Sequence, residues 1–330
     1  MIIFIILTDS KKFSMRLDIQ GKTVVIFGGA GFIGKRLVFE LSKHPCKIFV
    51  VTRKPNNHEE LRILAGLGQI TIVNLEEYNE DNLTELLSGC DIVINLIGIL
   101  AEQRGSSFRY VHEVLPNLLS KISKDVKIKK FIHLSALGVN KIKNSKYAKS
   151  KLNGEIFVTK NFPDSIIIRP SVVFGAEDNF VNLFNKIASI SPFLPIFGAP
   201  NLTKDIFKSF LSSEVKFQPI YVGDLVKFLI GKMNSKSELY ELCGPSIYTF
   251  DQIIKLILEI KKVRRILMPI PLTLASILGV VLEKLPYKLL TRDQVKLMGY
   301  ENISTKGIKN LKKIVKNPKS MEVILPTYIR

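Results

Sequence analysis

The stretch Thr23-Val24-Val25-Ile26-Phe27-Gly28-Gly29-Ala30-Gly31-Phe32-Ile33-Gly34 leaves the chain few folds to choose from. Its apolar, β-branched run from Thr23 to Phe27 predicts a buried parallel strand. The run breaks into glycines, with Gly28, Gly31 and Gly34 three residues apart, and Lys35 to Leu41 has helical spacing. A strand, a tight glycine turn and a helix start in that order form a phosphate cradle. Gly28 permits the turn, Gly31 lets a pyrophosphate approach the backbone, and Gly34 lets helix and strand pack closely. Unpaired N–H groups at the helix start, around Phe32 and Ile33, and the helix dipole then hold the phosphate charge.

Alternation continues downstream. Lys47 to Thr52 predicts a second strand, whose end in this architecture usually carries an acid for the adenosine ribose hydroxyls. Here it ends in Thr52-Arg53-Lys54. The missing acid removes repulsion toward a 2′-phosphate, and the planar Arg53 guanidinium suits one. The expected cofactor is therefore NADP(H), gripped by Arg53 and Lys54. Gln69 to Asn74 predicts a strand, Asn79 to Ser88 a helix, and Asp91 to Gly98 another strand, with Asn95 and Gly98 at its end. Residues 108–124 read as a helix and Lys130 to Ser135 as a strand, in which His133 is a core histidine and Ser135 faces the crevice. This pace predicts a Rossmann-type, doubly wound parallel α/β sheet with ligands at the strands' carboxyl ends.

A second informative stretch is Ser145-Lys146-Tyr147-Ala148-Lys149-Ser150-Lys151. On a helix, Tyr147 and Lys151 share one face. An ammonium beside a phenol lowers the phenol's pKa, so Tyr147 is expected to exchange a proton with a carbonyl oxygen that Ser135 hydrogen-bonds.

Together, Gly28 to Gly34, Asn95 to Gly98, Ser135 and Tyr147…Lys151 resemble the short-chain dehydrogenase/reductase superfamily. Ser165-Ile166-Ile167-Ile168-Arg169-Pro170-Ser171-Val172-Val173-Phe174-Gly175 is similar to the signature of its extended and atypical branches, related to the NAD-dependent epimerase/dehydratases. That resemblance implies Tyr147 as proton donor, Lys151 as ribose and phenolate partner, and Pro170 and Ser171 as nicotinamide contacts. A narrower resemblance runs from about Gly21 onward, on Val93 to Gly98, Phe131 to Ser135, Gln218 to Asp224 and Thr291 to Val295. It points to the NADPH-binding, dehydrogenase-like accessory subunits of respiratory complex I and their bacterial relatives, a subgroup that includes a homologue tied to coenzyme Q biosynthesis. It implies a cofactor-holding component without turnover, partnered with complex I or its membrane arm. The implied location is cytoplasmic, peripheral on the inner face of the energy-coupling membrane. An active NADP-dependent reductase or epimerase-like enzyme, in ubiquinone metabolism, is the alternative. Ser135 and Tyr147 lie about twelve residues apart, roughly half the usual distance in extended-type reductases. The short loop from Ala136 to Asn144 removes part of a substrate wall, and Tyr147 and Lys151 then serve to hold the nicotinamide ribose.

Composition bounds the partners. The chain has 330 residues, 46% of them hydrophobic, and a net charge of +19. No basic stripe interleaved with aromatics accompanies that charge, so no specific nucleic acid is expected. Scattered lysines read as solvated basic faces, with an anionic membrane surface as the alternative. Cys46, Cys90 and Cys243 give neither a disulfide framework nor metal spacing, so no metal is expected and the compartment reads as reducing. Met1 to Leu7 is apolar but too short to span a bilayer, which takes about 20 residues. With Met15 just ahead of the first strand, residues 1–14 read as an over-extended start and 1–20 as an N-terminal extension.

Residues 21–178 form the expected NADP(H)-binding domain and 179–330 a smaller C-terminal α/β lobe, with a return of some of its segments to the sheet left open. In that lobe Asn179 to Ser189 predicts a helix, Ser191 to Pro200 a rigid apolar loop, and Asn201 to Glu214 an insertion. Lys216 to Val222 and Leu239 to Cys243 read as strands, Asp224 as the cap of the next helix, and Thr249 to Gln252 as a helix start. Between Arg264 and Arg292 an apolar run, Leu272 to Leu282, is flanked by Lys261, Lys262, Arg264 and Arg265 before it and Lys284, Lys288 and Arg292 after it. Two readings stand: a segment lying in an anionic interface or on a membrane subunit, and a core helix of the lobe.

Overall fold

Glycine breaks, proline positions and apolar periodicity account for most element boundaries in the computed structural model, which describes residues 19–53, 58–64, 66, 68–199, 215–283 and 291–329. Lys54, Lys284, Lys288, most of the expected N-terminal extension and the 201–214 insertion lie outside the described residues. The first half contains β1 (Thr23–Phe27), α1 (Phe32–Leu41), β2 (Lys47–Thr52), β3 (Ile70–Asn74), α2 (Glu80–Leu87), β4 (Ile92–Asn95), α3 (Leu115–Asp125), β5 (Lys130–Leu134), α4 (Lys146–Asn161) and β6 (Ile166–Pro170). Then come β7 (Val173–Phe174), α5 (Phe180–Ile190), β8 (Phe193–Ala199), β9 (Lys216–Phe217), β10 (Ile220–Tyr221), α6 (Val222–Lys232), β11 (Glu238–Leu242) and β12 (Tyr248–Thr249). The chain continues through α7 (Phe250–Lys261), β13 (Ile266–Pro271), α8 (Leu272–Leu282), α9 (Arg292–Met298), α10 (Thr305–Lys312) and α11 (Met321–Ile324).

Seven parallel strands make one sheet in the order β11-β6-β5-β4-β1-β2-β3. Strand side chains alternate between its faces, and each face is buried under helices. Val24 and Ile26 of β1 pack with Leu37 and Leu41 of α1 and Leu225 of α6. Val25 and Phe27 pack with Leu83 of α2, Leu119 of α3 and Val158 of α4. This is the doubly wound arrangement the sequence predicts. Chain beyond residue 178 does return to the sheet, because β11 pairs with β6 from Glu238↔Ile166 to Leu242↔Pro170. The rest of the second half gathers around Phe250, whose ring meets those of Phe184 at 5.3 Å and Phe197 at 5.8 Å.

Several elements differ from expectation. The stretch read as a rigid loop is β8, paired in parallel with β13. Pro195 is tolerated because, among the described residues, β8 pairs with β13 on one side alone and keeps its other edge free. The strand expected over Lys216 to Val222 is two short strands, β9 and β10, separated at Pro219. Asp224 does not cap its own helix. Tyr221 holds the cap position, and the Asp224 carboxylate instead accepts the Lys319 N–H at 2.6 Å. The helix expected from residue 108 does start there but runs through a π-helical turn, Tyr110–Val114, before α3. Pro116 explains it: lacking an N–H, it leaves the His112 carbonyl without its helical donor. Helix α4 crosses there so closely that a Cβ on Gly154 would collide with the His112 oxygen.

Between the two readings of Leu272 to Leu282, α8 divides its sides. Ala275 and Gly279 are buried, while Leu274, Ile277, Leu278 and Val280 are exposed. Among the described residues no helix is long and apolar enough to cross a membrane.

Helix α4 is fastened to β6 by a buried two-point ion pair. Arg169 Nε donates to Glu155 Oε1 at 2.8 Å and Nη2 to Oε2 at 2.6 Å. Removing one partner strands a charge in the interior. Glu155→Ala is expected to cost about 3–5 kcal/mol, measured as the shift of the urea unfolding curve. A loss below about 1 kcal/mol, the value of a surface pair, would show that the pair does not hold α4.

Candidate functional site

The glycine turn closes over the end of β1. Gly28 adopts φ +81°, and a Cβ there would sit 3.2 Å from the Ile97 nitrogen. A Cβ on Gly34 would collide with the backbone of Gly28 and Gly29, so helix and strand meet with no side chain between them. Gly31 caps α1 without any side-chain hydrogen bond. The N–H groups of Phe32, Ile33 and Gly34 therefore begin the helix without intrahelical acceptors, a ready anion site.

At the end of β2, Arg53 lines a cavity of about 430 Å³ together with Glu76, Glu77, Tyr78, Asn79 and Tyr110. Burial raises the Tyr78 phenol's pKa, and the Arg53 charge opposes the rise.

The ends of β4 and β5 bring a polar group together. Asn95 is fully buried; its Oδ1 accepts the Ile97 N–H at 3.1 Å, which turns its amide nitrogen toward His133 Nδ1 at 3.2 Å. His133 Nε2 then carries the proton and has no partner among the described residues. Lys151 Nζ donates to the Leu134 carbonyl at 3.0 Å, and a Cβ on Gly98 would lie 3.1 Å from it. His112 joins them: its Nε2 accepts the Ile99 N–H at 3.1 Å, so its Nδ1 donates to Ser150 Oγ at 2.9 Å. Ser150 passes its own hydrogen to the Tyr147 carbonyl. The Tyr147 ring stands edge-on to His112 at 5.3 Å and to Phe108 at 5.8 Å. Ser135 Oγ is buried with no partner among the described residues.

Burial governs the charges here. It depresses His112 to about 2 and His133 to about 3, with Lys151 adding to both shifts, so both imidazoles are neutral. Burial also lowers Lys151 to about 8, against the pull of Glu155. Tyr147 is pushed up to about 12 by burial. The expected depression of the phenol by Lys151 is thus not what this geometry gives: burial dominates at Tyr147, and Lys151 Nζ is directed to the Leu134 carbonyl.

Pro170 and Ser171 lie at the end of β6 and face a partner that sequence reasoning missed. Ser171 Oγ donates to Asn302 Oδ1 at 2.7 Å, and the Val172 N–H donates to the same oxygen at 3.1 Å. Asp293 was missed as well. Its carboxylate accepts Ser145 Oγ at 2.7 Å, the Lys146 N–H at 2.8 Å and the Tyr147 N–H at 2.9 Å, which caps the first turn of α4. Nothing local announces either contact, since the partners lie more than a hundred residues apart in sequence.

These residues fit an extended dinucleotide. The cradle is one that a Cβ would fill, the helix start is uncapped, a cation lines a cavity at one end, and Ser135 keeps an orphaned hydroxyl at the other.

The NAD dependent epimerase/dehydratase family matches residues 24–237, and the chain belongs to it. Mitochondrial NADH dehydrogenase (ubiquinone) 1 alpha subcomplex subunit 9 of Mus musculus is 28% identical over 313 residues, covering 93% of this chain and 80% of the relative. The mitochondrial NADH-ubiquinone oxidoreductase 40 kDa subunit of Neurospora crassa is 26% identical over 301 residues, covering 90% and 76%. Among solved structures, UDP-glucose 4-epimerase from Bifidobacterium longum, in complex with NAD+ and UDP, superposes with a TM-score of 0.70 at 18% identity. It covers 93% of this chain and 97% of that one, and shares the fold. The resemblance read from the glycine turn and the Arg169-Pro170 strand therefore holds.

A depressed lysine has a signed consequence for stability. Between the folded value of about 8 and the ordinary 10.5 of Lys151, the unfolded chain binds more protons, so stability rises with pH there. Relative to Lys151→Met, which has no such titration, the parent is expected to gain about 2 kcal/mol between pH 7 and pH 10. Urea unfolding of both proteins at the two pH values measures it, and parallel pH dependences would refute a buried, depressed lysine.

Proposed function

We propose that this chain is an NADP(H)-holding accessory or assembly protein of NADH:ubiquinone oxidoreductase, respiratory complex I, and that it holds the cofactor without turning it over. The observation that carries this reading is the match to complex I subunits along 93% of the chain, in a protein that keeps the whole dinucleotide cradle. The proposed location is the cytoplasmic side, peripheral on the inner face of the energy-coupling membrane, against the membrane arm of the complex.

When bound, the dinucleotide supplies a hydride-carrying nicotinamide; the chain's residues hold and orient it. Gly28, Gly31, Phe32, Ile33 and Gly34 take the pyrophosphate, and Arg53 the 2′-phosphate, with Lys54 beside it in sequence. Asn95, Gly98, Pro170 and Ser171 shape the nicotinamide end. Lys151 is a protonated donor at neutral pH, with hydrogens beyond the one given to Leu134. A phenol at about 12 is poorly matched to proton transfer near neutrality. It suits a fixed hydrogen-bonding role for Tyr147, and Ser135 supplies a second hydroxyl.

Affinity purification from native membranes tests the assignment. The expected result is co-purification with complex I subunits and retention of NADPH that neither quinones nor sugar nucleotides oxidise. A protein that runs alone and oxidises its NADPH on adding either substrate is the reductase or epimerase-like enzyme instead.

Cofactor choice is a separate measurement. A charged hydrogen bond from Arg53 is worth about 1.5–3 kcal/mol, and Glu76 and Glu77 share its cavity and oppose an added phosphate. The expected preference for NADPH over NADH is therefore about tenfold, the low end of that range. Arg53→Asp is expected to erase or reverse it. Equal affinities of the unmodified protein for the two cofactors, in fluorescence titration, would refute the NADP(H) assignment.

A further inference from the structure

The side of α8 away from the lobe is apolar and exposed. Ile277 is 64% exposed, Leu274 47%, and Leu278 and Val280 are exposed as well. On the preceding strand Ile266 is exposed, as is Phe193, its registered neighbour on β8. Exposed basic residues, Lys262 and Arg264, stand immediately before that strand. Apolar side chains bordered by exposed cations, in a chain of net charge +19, are complementary to an anionic phospholipid surface.

The opposite side of α8 leads to the site. A Cβ on Gly279 would lie 3.1 Å from the Arg292 nitrogen and 3.3 Å from the Thr291 carbonyl carbon, so α8 and the start of α9 touch backbone to backbone. One residue further on, Asp293 receives the three hydrogen bonds from Ser145, Lys146 and Tyr147. Later in the same segment, Lys296 Nζ donates to the Asn144 carbonyl at 3.0 Å and the Tyr300 hydroxyl to Asn144 Oδ1 at 3.2 Å. Leu297 and Tyr300 pack on Val139, Ile142 and Ala148. The helix that carries Tyr147 and Lys151 thus has its N-terminus set by the segment that α8 rests on.

We propose that α8 and α9 form a coupling element. The outer face of α8 docks on an anionic phospholipid surface, and Asp293 transmits that docking to the Tyr147–Lys151 helix, so membrane binding and dinucleotide binding strengthen one another. The proposal rests on the dinucleotide reading above for one of its two ligands. A shift of α8 on docking is taken up at Asp293, because no side chain cushions the Gly279 contact. Reciprocity then requires that each ligand raise the affinity for the other by the same factor.

The test uses the full chain and reads NADPH affinity from nicotinamide fluorescence. Titrations are made in buffer, with phosphatidylcholine vesicles, and with vesicles doped with phosphatidylglycerol; vesicle binding is followed by co-sedimentation with and without NADPH. The expected result is at least about fivefold tighter NADPH binding with the anionic vesicles only, and an equal gain in vesicle affinity with NADPH. In Asp293→Asn the amide nitrogen meets backbone donors where a carboxylate oxygen stood. That variant is expected to sediment with vesicles while its NADPH affinity no longer responds to them. Ile277→Glu is expected to lose sedimentation, and the vesicle response with it. Absence of NADPH binding in buffer would overturn the cofactor reading and this proposal together. With NADPH bound, failure to sediment on anionic vesicles overturns the docking. If both ligands bind but neither changes the other's affinity in the parent, the coupling is overturned while the cofactor reading stands. A parent-like response in Asp293→Asn removes Asp293 from the path.

Discussion

The placement of α4 depends on directional polar contacts to a degree unusual for a buried helix. Its buried positions are Ala148, Ser150, Lys151, Gly154, Glu155 and Val158, of which Ala148 and Val158 alone carry apolar side chains, with Leu152 half-buried beside them. Apolar burial is non-directional and would let such a helix slide. Three fastenings prevent it. Asp293 holds the first turn, the His112–Ser150 pair and the Gly154 crossing hold the middle, and the Glu155–Arg169 pair ties it to β6. Tyr147 and Lys151 inherit their positions from these contacts.

Electrostatics around Lys151 follow from that placement. Both histidines are neutral, each with one ring nitrogen accepting from a defined donor, Asn95 for His133 and the Ile99 N–H for His112. Lys151 is then the one cation of the group, and its own burial holds its pKa well below the ordinary value. Bringing that ammonium inside costs folding free energy that the Leu134 carbonyl offsets only in part. A ligand hydroxyl accepting from Nζ would offset more, as the proposed dinucleotide would on binding. An imidazolium at either position would repel the ammonium, so the two neutral tautomers are part of what lets Lys151 stay charged.

What could be read from the sequence was what is encoded locally. The glycine turn, the run of parallel strands and the helix that carries Tyr147 and Lys151 each rest on residues within a few positions of one another, and each is present. Departures come from long-range or subtractive effects. The spacing of Tyr147 and Lys151 places both on one face but says nothing about where Nζ points; Leu134, on a neighbouring strand, decides that. Asp224 looks like a cap because acids favour a helix's first turn, yet the Lys319 N–H claims its carboxylate. Pro116 acts by removing a donor, and the resulting π-helical turn matters only because Gly154 of α4 uses the space. Asp293 lies in the Thr291 to Val295 stretch that carries the resemblance, but neither it nor Asn302 carries a local signal of its partner.

The short loop from Ala136 to Asn144 gains its meaning from the same long-range contacts. In a turnover enzyme the wall beside the nicotinamide has to admit a second substrate and release its product, which calls for a segment that opens. Here that wall is built by α9 and the residues after it, and it is held by mixed forces. Leu297 and Tyr300 pack on Val139 and Ile142, while Lys296, Tyr300 and Asp293 bond residues 144–147. Asn302 then pins Ser171 and Val172 on the far side. Opening such a wall breaks several polar contacts at once and uncaps α4, which would disturb Lys151, the residue proposed to hold the ribose. Such contacts support the proposal that the site retains one dinucleotide rather than cycling substrates.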